Sequence, residues 1–592
     1  MIIKSFFAFY YFLFLLGASI YLTLNNFKNF EKLFLSSIIY SLSFSWFFIY
    51  FINIFNLNFS FATLMCFFGF SLAVIFFNNR NKIKINLNEI NYFLIYFLLI
   101  FLIFFSILLS KYIPVFVHGD AVFQWNGRWA WSLYLNDFKP NGTYPVFWPG
   151  LWALIYKSES SFDNWIIPSL SQFILPILLI ITLYFFFKSK KLLFFYNLIF
   201  LVIFFWIFKR TALVGYMDTY IAILYLIFFH IFIIYLLDEK ENNFLLLFCL
   251  VAGIGSITKQ VGFLMPFISS LFLLILFLKK KINFYKLFYL TLVSFVFIIS
   301  FLSFDQIFNP FMFFYDLIFN QSTLDTNFSH LQSEAAQNHF DSFKVLFESY
   351  NKVILAIIIF ISFLNFSNLK NDYCKYGIFI LIFSIIGFYF FSKYGSYDER
   401  NGRFIITMIF ASSNFYLLSK TSNDTGIYIN ILKKNLPISL NKFLIFFIVI
   451  ILSLSIIISK ILNFNKIQYE IQSQLGTIQY TDQLKKKIPK KINQIIENLP
   501  SCSKVFVDEH IIAYNYYLIN YYNLNKKDSK IWVFNFPEEF VENTDFNNCS
   551  SSILWYFKKK NTFNKIKNNE KLKNFTVEKL NDYLYLISKK KN

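Results

Sequence analysis

Met217-Asp-Thr-Tyr-Ile-Ala-Ile-Leu-Tyr-Leu-Ile-Phe-Phe-His-Ile-Phe-Ile-Ile-Tyr-Leu-Leu237 is a predominantly apolar run with an acid at its second position. At about 1.5 Å per residue, such a run crosses a bilayer core of about 30 Å. Similar blocks of roughly 17–24 residues recur along the chain. They place candidate spans at 5–24, 33–56, 60–77, 91–110, 166–187, 192–208, 217–237, 244–257, 261–278, 286–307, 351–367, 376–391, 403–419 and 443–459, those at 244–257 and 376–391 being short. The chain has 592 residues, 57% of them hydrophobic, gathered in blocks, whereas a soluble domain interleaves its charges. The expected fold is an α-helical polytopic membrane protein of about 12–14 spans.

Working outward from these blocks, composition removes some function classes. Phe (87 residues) is abundant beside Ile, Lys and Asn; this reads as A+T-rich coding that fills lipid-facing positions rather than as special aromatic chemistry. The net charge of +21 sits mostly in short loops and in the C-terminal segment. Lys and Arg collect on the cytoplasmic side of membrane proteins, so the charge reports topology and not a nucleic-acid partner. The first apolar run lacks a small-residue cleavage site, and no cleavable signal peptide is expected. Placing the loop after residue 110 outside puts about 19 basic residues in the inside loops and about 12 in the longer outside ones, which agrees with the positive-inside rule.

Beyond Lys460 the chain turns polar. Strand-like runs Lys504-Val-Phe-Val-Asp508, Lys530-Ile-Trp-Val-Phe-Asn535, Ser552-Ile-Leu-Trp-Tyr-Phe557 and Tyr583-Leu-Tyr-Leu-Ile587, with a helical stretch near His510–Tyr522, suggest a small α/β domain outside the membrane. The organisation expected is therefore N-terminal accessory spans (1–90), a main membrane region (91–459) with its large outside loop at 111–165, and the α/β domain (460–592). Cys66, Cys249 and Cys374 read as packing residues. Cys502 and Cys549 share the outside domain and are expected to form a disulfide, two free buried thiols being the alternative.

Charges at a membrane face are functional candidates, because apolar helices do not need them. Four patches fall on one side in this topology: His118-Gly119-Asp120; Lys209-Arg210 leading to Gly215-Tyr216-Met217-Asp218; Thr258-Lys259-Gln260; and Tyr397-Asp398-Glu399-Arg400-Asn401-Gly402-Arg403. Asp120 reads as a general base or a metal ligand, the alternative being the N-cap of a helix beginning at Ala121. His118 reads as a hydrogen-bonding neighbour or a structural residue, with direct catalysis or metal binding as the lesser alternative. Residues 121–136 place Val122, Trp125, Trp129 and Leu133 on one side and Gln124, Arg128 and Ser132 on another, as in a helix lying on the membrane. The pairs Tyr144-Pro145 and Trp148-Pro149 then predict an extended return to the next span. Lys209, Arg210, Lys259, Arg400 and Arg403 are candidates for gripping phosphate, or for snorkelling to headgroups. Asp218 caps its span or faces the site, and Asp398 and Glu399 neutralise the adjacent arginines. No Walker A, His-Glu-x-x-His, Cys-x-x-Cys or Gly-x-Ser-x-Gly sequence is present.

In order and sidedness these patches resemble membrane glycosyltransferases of the GT-C superfamily, similar to protein O-mannosyltransferases and aminoarabinose lipid A transferases of the family 39 type. The resemblance covers roughly residues 90–420: Asp120 after a span, the helix at 121–137, Tyr144-Pro145 to Pro149, Gly215-Tyr216-Met217-Asp218, Thr258-Lys259-Gln260-x-Gly262, and Arg400 to Arg403. Two features depart from it. Ala121 stands where some relatives carry a second acid, and three spans precede the usual first helix. The resemblance implies a bacterial inner-membrane enzyme with its site and C-terminal domain on the periplasmic side. It would move a sugar from a polyprenyl phosphate to a glycan, lipid or protein acceptor, with Asp120 as base and, in some relatives, a divalent metal such as Mg2+ or Mn2+. Two rival readings remain at this stage: an O-antigen polymerase or ligase, and a lipid or glycan transporter, which would want ionisable positions at mid-membrane.

Overall fold

The computed structural model describes residues 2–24, 30–79, 125, 129–134, 146–159, 171, 174–208, 217–238, 242–302, 339–348, 352–394 and 399–423, and five short strands between 505 and 589. The expected spans at 91–110 and 443–459 lie outside the described residues; each of the others coincides wholly or partly with a helix. Among the described residues, six helices are long and apolar enough to cross a membrane: Ile3–Leu24, Glu31–Ile54, Met217–Leu237, Gln260–Leu278, Phe284–Phe301 and Asp372–Lys393. The last corrects the short span expected at 376–391. Its helix runs Asp372–Tyr394 over 23 residues, because charges at a helix end can remain helical by pairing with neighbours. Here Asp372 accepts from Lys279 at 2.7 Å.

Chain direction sorts the polar groups of this bundle onto two ends. Lys188, near the end of Ile174–Ser189, pairs with Glu31 at the start of Phe30–Ile54 (2.9 Å), and Lys32 with Asp238 just past Leu237 (3.8 Å). Lys279, just past Leu264–Leu278, pairs with Asp372. All these groups share one end. Asp218, Lys259 and Arg403 sit where the same or neighbouring helices have their other termini.

Between the ends, the bundle is sealed mainly by apolar and aromatic side chains. Every residue from Met217 to Leu236 is buried, so this helix is the central post. The N-terminal helices are part of the same compact unit. Gly17 packs so tightly on the next helix that a Cβ there would collide with the Ser37 carbonyl, and Trp46 donates to Ser300 Oγ at 2.7 Å.

The Pro-bearing segment after residue 144 departs from expectation. In place of an extended return, Phe147–Glu159 is a helix whose 13 residues are all buried. Pro149 lies in its first turn, where a proline has no hydrogen bond to lose and its fixed φ suits the helix. Its first residue donates Phe147 N–H to the Ile257 carbonyl (3.1 Å). Its last, Glu159, accepts from Ser5 Oγ. The helix therefore runs across the Asp218 end of the bundle, from the turn that follows Asn242–Ser256 to the N-terminal helix. Before it, Trp131–Tyr134 forms one helical turn in which Leu133 is buried, beside buried Trp129.

A second unit holds the C-terminal strands: β1 Val505–Asp508, β2 Ile531–Phe534, β3 Ile553–Tyr556, β4 Phe575–Lys579 and β5 Leu584–Lys589. Their order is β2-β1-β3-β5-β4. β1 runs parallel to β2 and β3, and β5 is antiparallel to β3 and β4. The helical stretch expected near residue 510 and the Cys502–Cys549 pair lie outside the described residues.

Candidate functional site

The site is built where the central post begins. Asp218, in the first turn of Met217–Leu237, forms an ion pair with the Lys259 ammonium. Lys259 Nζ also donates to Asn401 Oδ1 at 3.0 Å. One residue along the post, Thr219 Oγ1 accepts from Arg403 Nη1 at 3.4 Å. Arg403 opens the helix Arg403–Asn423 and is only 3% exposed. Arg403 is thus joined through Thr219 to the turn that carries the Asp218–Lys259 pair, in a nearly water-free setting. Such charges are expensive to bury, so this arrangement demands compensation from its partners or from a ligand.

The backbone that presents Lys259 is locked by glycine. The helix Asn242–Ser256 ends just before Lys259, and a 3-10 turn, Gln260–Phe263, leads into the next helix. Gly262 N–H donates to the Lys259 carbonyl at 2.8 Å, and any Cβ on Gly262 would strike the Gly255 carbonyl. Thr258 turns its hydroxyl back to the Ile254 carbonyl (2.8 Å), and Tyr225 OH donates to the Val261 carbonyl (2.8 Å). The Thr-Lys-x-x-Gly spacing therefore has a physical reason. The chain must pass close to itself while one long cation is aimed at the post.

Three of the four patches found in the sequence contribute described residues to this place: Asp218, Lys259, and Asn401 with Arg403. Lys259 is not an isolated phosphate-binding candidate, since Asp218 already holds it. For Glu399 and Arg400 only the backbone is described, in the 3-10 turn Glu399–Gly402. His118, Asp120, Arg128, Lys209, Arg210 and Asp398 lie outside the described residues. Among the described residues, no three His, Cys, Asp or Glu side chains come together as a metal site.

Sequence reasoning passed over three features. Trp148, second in the Phe147–Glu159 helix, meets Tyr220 edge-on with ring centroids 4.8 Å apart; the proline beside it had marked this stretch as extended. Lys157, buried near the other end of that helix, donates to the Tyr134 carbonyl at 2.7 Å, and burial pushes its pKa down to about 8. His230 lies in the middle of the post. Its Nδ1 is 2.9 Å from Thr182 Oγ1 and its Nε2 2.8 Å from Asn197 Oδ1, while Asn197 donates to Asn414 at 2.8 Å. The signal for His230 was its own position, a lone imidazole within a membrane-length run.

No protein-family model, curated protein or solved structure matches this chain.

Proposed function

We propose that the chain is a GT-C-like membrane glycosyltransferase that moves a sugar from a polyprenyl phosphate to an acceptor hydroxyl. The observation that carries this reading is the Asp218–Lys259–Asn401–Arg403 cluster, a cation-rich site closed by the ends of apolar helices. A lipid phosphate can reach such a place with its tail still in the bilayer, and Arg and Lys are the side chains that offset charge on phosphate oxygens. In this reading Arg403 and Lys259 face the phosphate, while Asp218 and Asn401 hold the Lys259 ammonium in position.

The chemistry rests on the resemblance. Asp120 takes the proton of the acceptor hydroxyl, whose oxygen attacks the anomeric carbon. The bond from that carbon to the phosphate oxygen breaks, and the polyprenyl phosphate leaves with the electron pair beside the cations. Lys209, Arg210 and Arg400 would add to that grip. His118, Arg128, Asp398 and Glu399 would orient the groups around it, and Asp120 is where a divalent metal would bind. The donor lipid makes ATP and cytosolic nucleotide sugars unnecessary at the site.

The same proposal includes 12–14 spans, an inner-membrane location with the site on the periplasmic side, and an α/β C-terminal domain held by Cys502 and Cys549. The unequal distribution of lysine supports the sidedness. The end opposite the site carries Lys32, Lys188, Lys279 and Lys375, as a cytoplasmic end would.

The transporter reading gains one observation, the polar chain Thr182–His230–Asn197–Asn414 at mid-bundle. Its members satisfy one another, which suits helix-to-helix adhesion better than a substrate path. Reconstituted protein given a radiolabelled polyprenyl-phosphate sugar and a mixed acceptor pool decides between them. Transfer abolished by Asp120→Asn in a folded protein supports the enzyme. Full transfer in that variant removes Asp120 from the mechanism, and lipid movement without transfer favours the transporter.

A further inference from the structure

Among the described residues, buried polar rings are paired almost everywhere that they occur. Trp46 donates to Ser300, Trp152 to Ser171, Tyr225 to Val261 and Tyr40 to Asn243. Trp148 Nε1 and the Tyr220 hydroxyl break this habit. Both side chains are essentially fully buried, at 0% and 1% exposure, and neither polar atom has a hydrogen-bond partner among the described residues. Buried indole and phenol groups ordinarily find one, and an unmet donor carries its full desolvation penalty. Two exceptions in edge-on contact are therefore one feature.

Their place gives that feature a meaning. Tyr220 follows Thr219, the partner of Arg403, and stands two residues from Asp218. Trp148 follows Phe147, whose amide is bonded to Ile257, two residues before Lys259. The aromatic pair and the cation cluster thus flank the first turn of the same post, and one ligand lying across that turn would reach both.

We infer that Trp148 and Tyr220 form a subsite for an uncharged, hydroxyl-bearing ring attached to the phosphate that Lys259 and Arg403 hold. The indole N–H can only donate, and the phenol can donate or accept; hydroxyl groups answer both. The ring faces suit the C–H surface of a polyol, and neither residue brings a charge that would call for an ionic group. This inference rests on the phosphate reading of the cluster and adds what discriminates a sugar-bearing lipid from a bare one.

The test uses full-length protein in nanodiscs and three probes: dodecyl phosphate, dodecyl phosphohexose and dodecyl glucoside. The wild type is expected to bind the phosphohexose roughly tenfold more tightly than dodecyl phosphate, the discrimination of about one well-made hydrogen bond. Trp148→Phe and Tyr220→Phe should each bring that ratio towards one, leave dodecyl phosphate binding unchanged, and leave the thermal midpoint unchanged or higher. Arg403→Ala should weaken both phosphate probes together. Equal loss of both phosphate probes in the aromatic variants would make the pair part of the phosphate grip and overturn the inference. So would a wild type with no preference for either hexose-bearing probe. Binding of dodecyl glucoside through Trp148 and Tyr220, with no binding of either phosphate probe, would instead remove the phosphate reading and leave the subsite standing.

Discussion

The two ends of the helix bundle carry ion pairs of the same chemistry in opposite surroundings. At one end Lys188–Glu31, Lys32–Asp238 and Lys279–Asp372 each keep one partner about half exposed, at 48%, 49% and 51%. At the other, Lys259 and Asp218 are exposed by only 13% and 10%, with Arg403 still deeper. Water screens the first set, whose net contribution per pair is of order 0–1 kcal/mol. The second set sits in low dielectric, where losing one partner leaves an uncompensated charge. The same lysine is therefore an incidental feature of topology at one end and an energetic commitment at the other. A bundle held only by its apolar core has no need of that commitment.

Breaking the buried end should have the largest effect. Lys259→Ala leaves Asp218 buried and unpaired, and is expected to destabilise the protein by about 3–5 kcal/mol. Arg403→Ala should reduce transfer from a polyprenyl-phosphate donor by more than about a hundredfold, the scale of losing a group that stabilises developing charge. The double variant Asp218→Asn with Lys259→Gln should recover most of the thermal stability but none of the transfer. If it recovers transfer as well, the buried charges are structural and the contrast between the ends loses its functional meaning.

Next in size is the middle of the bundle, which separates structural polarity from site polarity. His230→Leu removes both hydrogen bonds of the imidazole and leaves Thr182 bonded to Leu179 and Asn197 to Leu193 and Asn414, at a cost of about 1–3 kcal/mol. Thermal unfolding should register it, while affinity for dodecyl phosphate stays at the wild-type value. A change in affinity would join the mid-bundle chain to the site and revive the transporter reading.

A smaller, pH-dependent effect belongs to the helix that crosses the site end. Burial lowers Lys157 from 10.5 to about 8, so the folded state disfavours its charged form. Below pH 8 the ammonium is charged both folded and unfolded, and the penalty is fully present. Between about pH 8 and 10.5 the unfolded chain binds more protons than the folded one, so this residue's contribution to stability rises with pH across that window. Lys157→Met should flatten that part of the stability profile. An unchanged slope would mean that the ammonium reaches water.

Much of this contrast was legible from charge position alone. Asp218, Lys259 and Arg403 stood out because each interrupts or bounds an apolar block, and the alternation of spans put them on one face. What the sequence hid were matters of degree and of local geometry. Burial of the Lys259 pair depends on the close approach of Gly262 to Gly255, which no periodicity reveals. Pro149 punctuates a loop and a first helical turn equally well, so the sequence does not distinguish the Phe147–Glu159 helix from an extended return. His230 was lost in a run whose average is apolar. The span at 372–394 was cut short because its terminal charges lowered the local hydropathy while helping to cap the helix through Lys279.

The smallest expected effect comes from the exposed end and serves as its control. The helix Leu264–Leu278 finishes with Lys280 at φ 57°, its amide bonded to the Phe277 carbonyl (2.8 Å) and the Lys281 amide to Leu276 (2.9 Å). That is the left-handed helix stop in which glycine is ordinarily favoured, since a Cβ strains the backbone there. Lys280→Gly should relieve the strain, offset in part by the greater freedom of the unfolded glycine chain, for a net gain of up to about 1 kcal/mol. It also removes one exposed positive charge from an end where single charges contribute little. Thermal midpoint should rise slightly, and affinity for dodecyl phosphate at the other end should stay constant. If affinity moved with it, the strain at Lys280 would be felt along the Gln260–Leu278 helix as far as Lys259, and the two ends would have to be treated as one coupled element.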